Sequence, residues 1–391
     1  IAIGTDALQG NTSGSSNVAI GDDAMKTNST ASNNVGVGQS ALCSNTTGTE
    51  NTAVGKDALK LNVGAIQNTA VGGSALRDNT TGACNTAVGF NSLVQSTTSS
   101  NNTAVGRESL FSNTTGGGNT AMGLCALNAN VSGDQNVAIG LNAMQDNTTA
   151  DNNTAVGFRA MDKNTTGNSN VAMGMDAMRA NTTGSSNTAI GYSSMYEGTT
   201  TGSLNTMVGA SSGRKMTSGE QNSGLGINAL ESNTTGSRNT ATGASSFSTN
   251  STGSDNTAVG HAALGANTTA SCNTAVGRAS LQTNSTGTQS TAVGFQSLNA
   301  NTTGSNNTAV GMCALKTNTT AADNTAVGAF ALKLNETGTA NTAVGTSALV
   351  KTTTGTNTAV GYAAAACTTT GFGTAVGYGA MKANTTSSGN T

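Results

Sequence analysis

The residues of this chain able to act as bases, nucleophiles or ligands are few: one histidine, His261, six cysteines, and eighteen carboxylates such as Asp22, Asp23, Glu108 and Asp323, spread over 391 positions. General acid–base or nucleophilic chemistry needs two such groups held within hydrogen-bond reach of each other. His261 has no partner at the matching place of the stretches on either side. The cysteines Cys43, Cys84, Cys125, Cys272, Cys313 and Cys367 form no C-x-x-C pair, which argues against zinc. No two of them fall at matching places of adjacent stretches, which argues against intrachain disulfides. The pattern predicts free thiols filling packed positions. The carboxylates form no array of the kind that holds calcium in nonapeptide rolls, and no G-x-x-x-x-G-K-[ST] occurs. Neither an enzyme nor a cofactor or metal site is expected from this inventory.

Two other kinds of residue recur often enough to matter. The first is the sequon N-x-S/T, at Asn45, Asn79, Asn113, Asn147, Asn164, Asn181, Asn233, Asn267, Asn301 and Asn318 among others. In a secretory setting these asparagines would accept glycans along one edge; otherwise Asn-Thr-Thr-Gly is turn chemistry, with Asn and Gly tolerating the left-handed region. The second is a run of large apolar residues at regular spacing, Leu124, Leu141, Phe158, Met175 and Tyr192. If stacked, they make an apolar strip expected to serve subunit association or bundling, unless it folds inward. A net charge of −2 with no basic run predicts no nucleic-acid partner, and no apolar window reaches the roughly 20 residues of a membrane-inserted span.

All of these residues are placed by one pentapeptide, Asn51-Thr52-Ala53-Val54-Gly55, which returns in 23 near-copies whose glycines run from Gly4 to Gly377. Of the 22 intervals, 19 are 17 residues, Gly191 to Gly209 is 18, and the last two are 16. A unit this short cannot close its own core and must stack on its neighbours. With positions numbered from the Asn, the unit reads N-T-A-V-G-x-x-A-L-x-x-N-T-T-G-x-x. Period-2 alternation at positions 2 to 4 predicts a strand, with Val54 and Val71 contributing to the core. Gly55 and Gly72 turn the chain, with φ > 0. Leu59 and Leu76 at position 9 are expected to form the inward contact of a second strand. Asn51 and Asn68 at position 1, and the asparagines at position 12, are expected to stack as ladders. Apolar spacing excludes a helix, and the fixed phase of Val and Leu excludes disorder.

The predicted fold class is all-β, a parallel β-solenoid (β-roll) of about 23 stacked 17-residue rungs, forming an elongated rod on the order of 110 Å long. It is expected to be a single continuous repeat domain over 1–391, a fragment of a longer chain, with irregular rungs at 197–226 and shortened rungs at 361–391. In the irregular stretch Gly198 stands for Asn, Met207 for Ala and Gly213 for Leu, and Arg214-Lys215 follow. That defect predicts a protruding loop or partner contact, against the plainer expectation of a tolerated insertion.

Asn17-Val18-Ala19-Ile20-Gly21 and Asn136-Val137-Ala138-Ile139-Gly140 resemble the core motif of YadA-like trimeric autotransporter heads. The fuller unit from Asn307-Thr308-Ala309-Val310-Gly311 through Asn318-Thr319-Thr320 is similar to repeats in tail-fibre-like proteins of phages and large viruses. This resemblance implies a structural, non-catalytic fibre or adhesin rod at a cell or virion surface, self-associating as a homotrimer or as an end-to-end filament, with a surface receptor or glycan as a further partner. The autotransporter unit is shorter than this one, and the longer Asn-Thr-Thr-Gly arm lets each chain close a small core of its own. The alternative is a glycan- or ice-binding solenoid using a flat Thr/Asn face with threonines at positions 2, 13 and 14. Positions 13 and 14 point opposite ways on an extended chain, so only one of those two ranks faces outward.

Overall fold

A three-residue strand followed by a glycine that must turn cannot pair with its own continuation; its only hydrogen-bonding partners are its copies one repeat away. The computed structural model describes residues 1–390, and their side chains through Thr386; Thr391, the end of the shortened rungs, lies outside. It forms two compact units, one of Ile1–Ser193 with Thr199–Thr201, the other of Ser194–Gly198 with the chain from Gly202 onward. Each unit is a parallel β-solenoid. In the first, twelve strands run from Ala2–Ile3 to Thr188–Ile190, and in the second twelve run from Thr206–Val208 to Thr386–Asn390. No helix occurs among the described residues.

Within each unit every strand pairs in parallel with its sequence neighbours, in a register equal to the repeat except for a one-residue shift at Gly373 in the last pair. Val54 sits over Val71, and Ala53 over Ala70. The shortened unit keeps this order, since Thr342 pairs with Thr358 sixteen residues on. Its deletion is absorbed in the turn, where length changes cost little.

The core is narrower than the sequence reading expects. Ala53 and Ala70 are completely buried, whereas Val54 and Val71 are 37% and 36% exposed. The strand therefore turns its alanine inward and its valine out. Space explains the choice: in the strand Val35–Val37 the inward residue is Gly36, where even a Cβ would lie 3.1 Å from Met25 Cε. The position-9 side chains, Leu59 and Leu76 among them, already fill the coil, and between them and the sheet there is room for one methyl group.

The second expected strand is also absent. Positions 6 to 11 form turns, in which Asp57 has φ 58° and Leu59 φ 48°. A left-handed leucine costs roughly 1–2 kcal/mol, against the roughly 1.5–3 kcal/mol contributed by burying its side chain. Burial wins, and the cost is repeated at Leu76, Leu93, Leu110 and their equivalents. The turn still bonds along the stack: the Asp57 N–H donates to Gln39 O at 2.9 Å in the preceding rung, and the Leu59 N–H donates to Ala75 O at 3.0 Å in the following one.

Two buried asparagine ladders complete the interior. At position 1 the Asn51 N–H donates to Asn34 Oδ1 at 2.9 Å, and its Nδ2 donates to Ala65 O at 2.8 Å. At position 12 Asn62 Nδ2 donates to Asn45 Oδ1 at 2.9 Å and to Ala65 O at 3.1 Å. Such groups are tolerable inside only because each satisfies the next. The exceptions show the dependence. Asn79 Oδ1 and Asn335 Oδ1 are buried with no partner, and the rungs that follow them have Ser96 and Thr352 in place of asparagine.

The irregular stretch is packed rather than extruded, contrary to the expected loop. Gly198, Thr200 and Gly202 are buried, and Thr200 bridges in parallel to Asn181. In the second unit Met207 takes the small inward position and fills the space that Gly213 leaves empty. A Cβ on Gly213 would lie 2.9 Å from Met207 Cγ, and one on Gly224 in the next rung 2.6 Å from its sulfur. Large and small have exchanged places at nearly constant volume, the kind of change cores tolerate. Arg214 is spanned by Glu197 at 3.2 Å and Glu231 at 3.1 Å.

Candidate interaction faces

Because alanine takes the interior, each strand presents positions 2 and 4 outward, and position 6 follows just past the turning glycine. Stacking turns these into columns. In the first unit Leu124, Leu141, Phe158, Met175 and Tyr192 are all exposed, between 37% and 54%, so the position-6 strip faces solvent and does not fold inward. Beside it runs a second apolar column that the sequence reading assigned to the core: Met122, Ile139, Met173 and Ile190 are exposed to a similar degree. The signal for this column was the two small residues, at 3 and 8, that leave Val no room inside.

The strip has a polar border. The Arg159 guanidinium lies 4.5 Å from the centre of the Phe158 ring and 2.9 Å from the Asp176 carboxylate. On the following turn Asp162 is nearly buried, 3.5 Å from Arg179 and 3.8 Å from Lys163, and its Oδ1 has no hydrogen-bond partner. Burial pushes the Asp162 carboxyl above its usual range, with the neighbouring cations opposing. The hydrogen bond to the Asp146 carboxylate at 2.8 Å raises the Lys163 ammonium.

The asparagines proposed as glycan acceptors are corrected by this geometry. Asn45, Asn79, Asn113, Asn147, Asn164, Asn181, Asn233, Asn267, Asn301 and Asn318 are all fully buried. A glycan attaches at Nδ2, the atom that Asn45 donates to Asn28 Oδ1 at 3.1 Å and to Gly48 O at 2.9 Å. These residues are ladder elements in the folded chain. The Thr/Asn face is narrowed for the same reason, since the asparagines are inside and the threonines remain outside.

One thiol meets a carboxylate, Cys125 Sγ donating to Glu108 Oε2 at 3.8 Å one rung away, with no histidine beside the pair. His261 is exposed, all six cysteines are free, and burial pushes the Cys43 and Cys125 thiols up, away from the reactive thiolate. No group of three or more His, Cys, Asp or Glu converges among the described residues. An open groove of about 350 Å³ is lined by Ser99, Ser100, Asn101, Gly117, Asp134 and Gln135 among others, and brings no nucleophile to a base. No protein-family model matches the chain, and no curated protein is found similar to it.

Proposed function

We propose that the chain is a structural, non-catalytic segment of an extracellular fibre or adhesin, displayed on a cell or virion surface and self-associating through its outward apolar columns. The observation that carries this reading is the paired asparagine ladder, by which the buried polar groups of each rung depend on the rungs on either side as well as on their own turn. Such a stack gains length without changing its cross-section, which suits a spacer and not a pocket. The apolar strip supports self-association, since it lies beside a second exposed apolar column, Met122, Ile139, Met173 and Ile190, and large contiguous apolar surface marks contacts. Phe158 and Tyr192 supply the aromatic anchors that interfaces favour. Whether association gives the homotrimer implied by the autotransporter resemblance or an end-to-end filament is the finer part of the proposal.

Sedimentation of the purified chain, with electron micrographs of the same sample, tests it. The expected outcome is a concentration-dependent oligomer and thin filamentous particles, with the oligomer lost in the Phe158→Ser/Met175→Ser variant. A chain that stays monomeric at high concentration, or a double serine variant that assembles as the parent does, overturns the self-association reading.

A further inference from the structure

The outer face of the sheet in the second unit differs in kind from the apolar strip. Across eight successive strands, from Thr240–Thr242 to Asn357–Val360, position 2 is always threonine, and position 4 is valine in all but the first. Threonine and valine have the same shape, so the two columns are level. They do not slip: Thr257 pairs with Thr274, Thr291 with Thr308, and Val293 with Val310. The result is a rectangular lattice with about 4.8 Å between rungs and about 6.6 Å between outward side chains along each strand.

The two threonine columns of the repeat are used differently. At position 13 the hydroxyls are engaged within the stack: Thr268 Oγ1 donates to Ser285 O at 3.2 Å, Thr302 Oγ1 to Thr319 O at 3.0 Å, and Thr319 Oγ1 to Glu336 O at 3.2 Å. At position 2 the hydroxyls of Thr257, Thr274, Thr291 and Thr308 make no hydrogen bond to any described residue, and they stand half-exposed on the sheet. The fold thus leaves one periodic row of donors and acceptors free beside one periodic row of methyl groups.

Charge and shape select the occupant. Neither column carries a charge, so an ionic partner gains nothing there. There is no aromatic or arginine anchor in the lattice and no pocket, which are what protein partners use. The bordering position-6 column, with exposed Phe295, Met312 and Tyr362 and Arg278 over the Phe295 ring, is irregular in size and charge and does not extend the lattice. A level, uncharged surface repeating in two directions, half hydroxyl and half methyl, fits a solid that is itself uncharged, periodic and hydrogen-bonding. Oxygen rows on the prism face of hexagonal ice repeat on spacings of the same order, slightly shorter along the stack and about a tenth longer across it. The hydroxyls can join such rows while the methyls hold their water in cages. We infer that the Thr/Val face of the second unit binds ice.

Thermal hysteresis and ice-crystal shape, measured on the full chain, test this. Faceted crystals and a hysteresis that grows with concentration are expected. Thr291→Tyr/Thr308→Tyr should abolish both, and Thr286→Tyr/Thr303→Tyr, at exposed position 14 off the face, should leave both intact. The isosteric Thr291→Val/Thr308→Val variant, which keeps the shape of the sheet, should lower the hysteresis and so guards against loss through misfolding. Unshaped crystals with no hysteresis above an albumin control overturn the inference, as does activity that survives the tyrosines. Retention on microcrystalline cellulose without hysteresis would overturn it in favour of a polysaccharide surface.

Discussion

Met207 and Gly213 should behave as one unit, and a double-mutant cycle measures how strongly. Met207 is completely buried, so Met207→Ala opens a cavity at a cost of about 2–5 kcal/mol. Gly213→Leu forces a side chain into occupied space, because its first carbon alone would lie 2.9 Å from Met207 Cγ and 3.0 Å from the sulfur. Overpacking of that kind costs about 1–3 kcal/mol. Together the two changes rebuild the arrangement of Ala258 with Leu264, and the new leucine meets a φ of 60°, close to the 54° that Leu230 already carries. The double variant should therefore lie within about 2 kcal/mol of the parent, most of it the left-handed strain that Gly213 avoids. The coupling energy should fall in the upper part of the 0.5–3 kcal/mol range found for touching residues, roughly 1.5–3 kcal/mol. A repeat array does not melt in one step, so local hydrogen exchange is the measurement to use. The Gly213 amide donates to Ala229 O at 2.9 Å and the Gly226 amide to Val208 O at 2.8 Å, and both report on this rung. Met207→Ala should lower their protection by about 30- to 3,000-fold, at 1.4 kcal/mol per decade, and Gly213→Leu in that background should restore most of it. Penalties that simply add, within about 0.5 kcal/mol, would refute the exchange of volume.

Three further outcomes are expected. Gly55→Ala should destabilise its rungs by roughly 2–3 kcal/mol or more, since φ is 136° there and the new Cβ would meet Gly72 O at 2.5 Å; exchange protection of residues 52–72 reads the loss. Chain secreted from eukaryotic cells should carry no glycan on Asn45 or Asn147 once folded, and peptide mass spectrometry that found these asparagines occupied would contradict the ladder. Asp162 has a folded-state pKa raised by burial, so its contribution to stability is fully present below the unfolded carboxylate pKa and is lost as pH rises through the folded value. Asp162→Asn should therefore match or exceed the parent's local stability at neutral pH, and lose that advantage in acid. Exchange rates at two pH values decide it, and a variant weaker than the parent at neutral pH would mean that the Arg179 and Lys163 contacts outweigh desolvation.

The period, the parallel stacking and the asparagine ladders were legible in the sequence because each depends on one residue type recurring at one phase. What was not legible is which way the strand faces. Thr-Ala-Val alternates either way round, and hydrophobicity alone votes for Val54 inside. The deciding quantity is the volume left by Leu59 and its equivalents across the coil, and that volume depends on position 9 reaching inward from a left-handed turn. No sequence rule places leucine at positive φ, so the turn reads as a strand and the space appears larger than it is. Gly36 and Gly224, which accommodate Met25 and Met207, are the residues from which the tight fit could have been inferred. The same inversion governs function. With valine inward, the outer face would carry only alanine methyls between turns; with alanine inward, it carries a level Thr/Val lattice in the second unit and the Met/Ile column in the first. Both strand-face columns, Thr/Val in the second unit and Met/Ile in the first, exist because a methyl group, and not an isopropyl group, fills the interior.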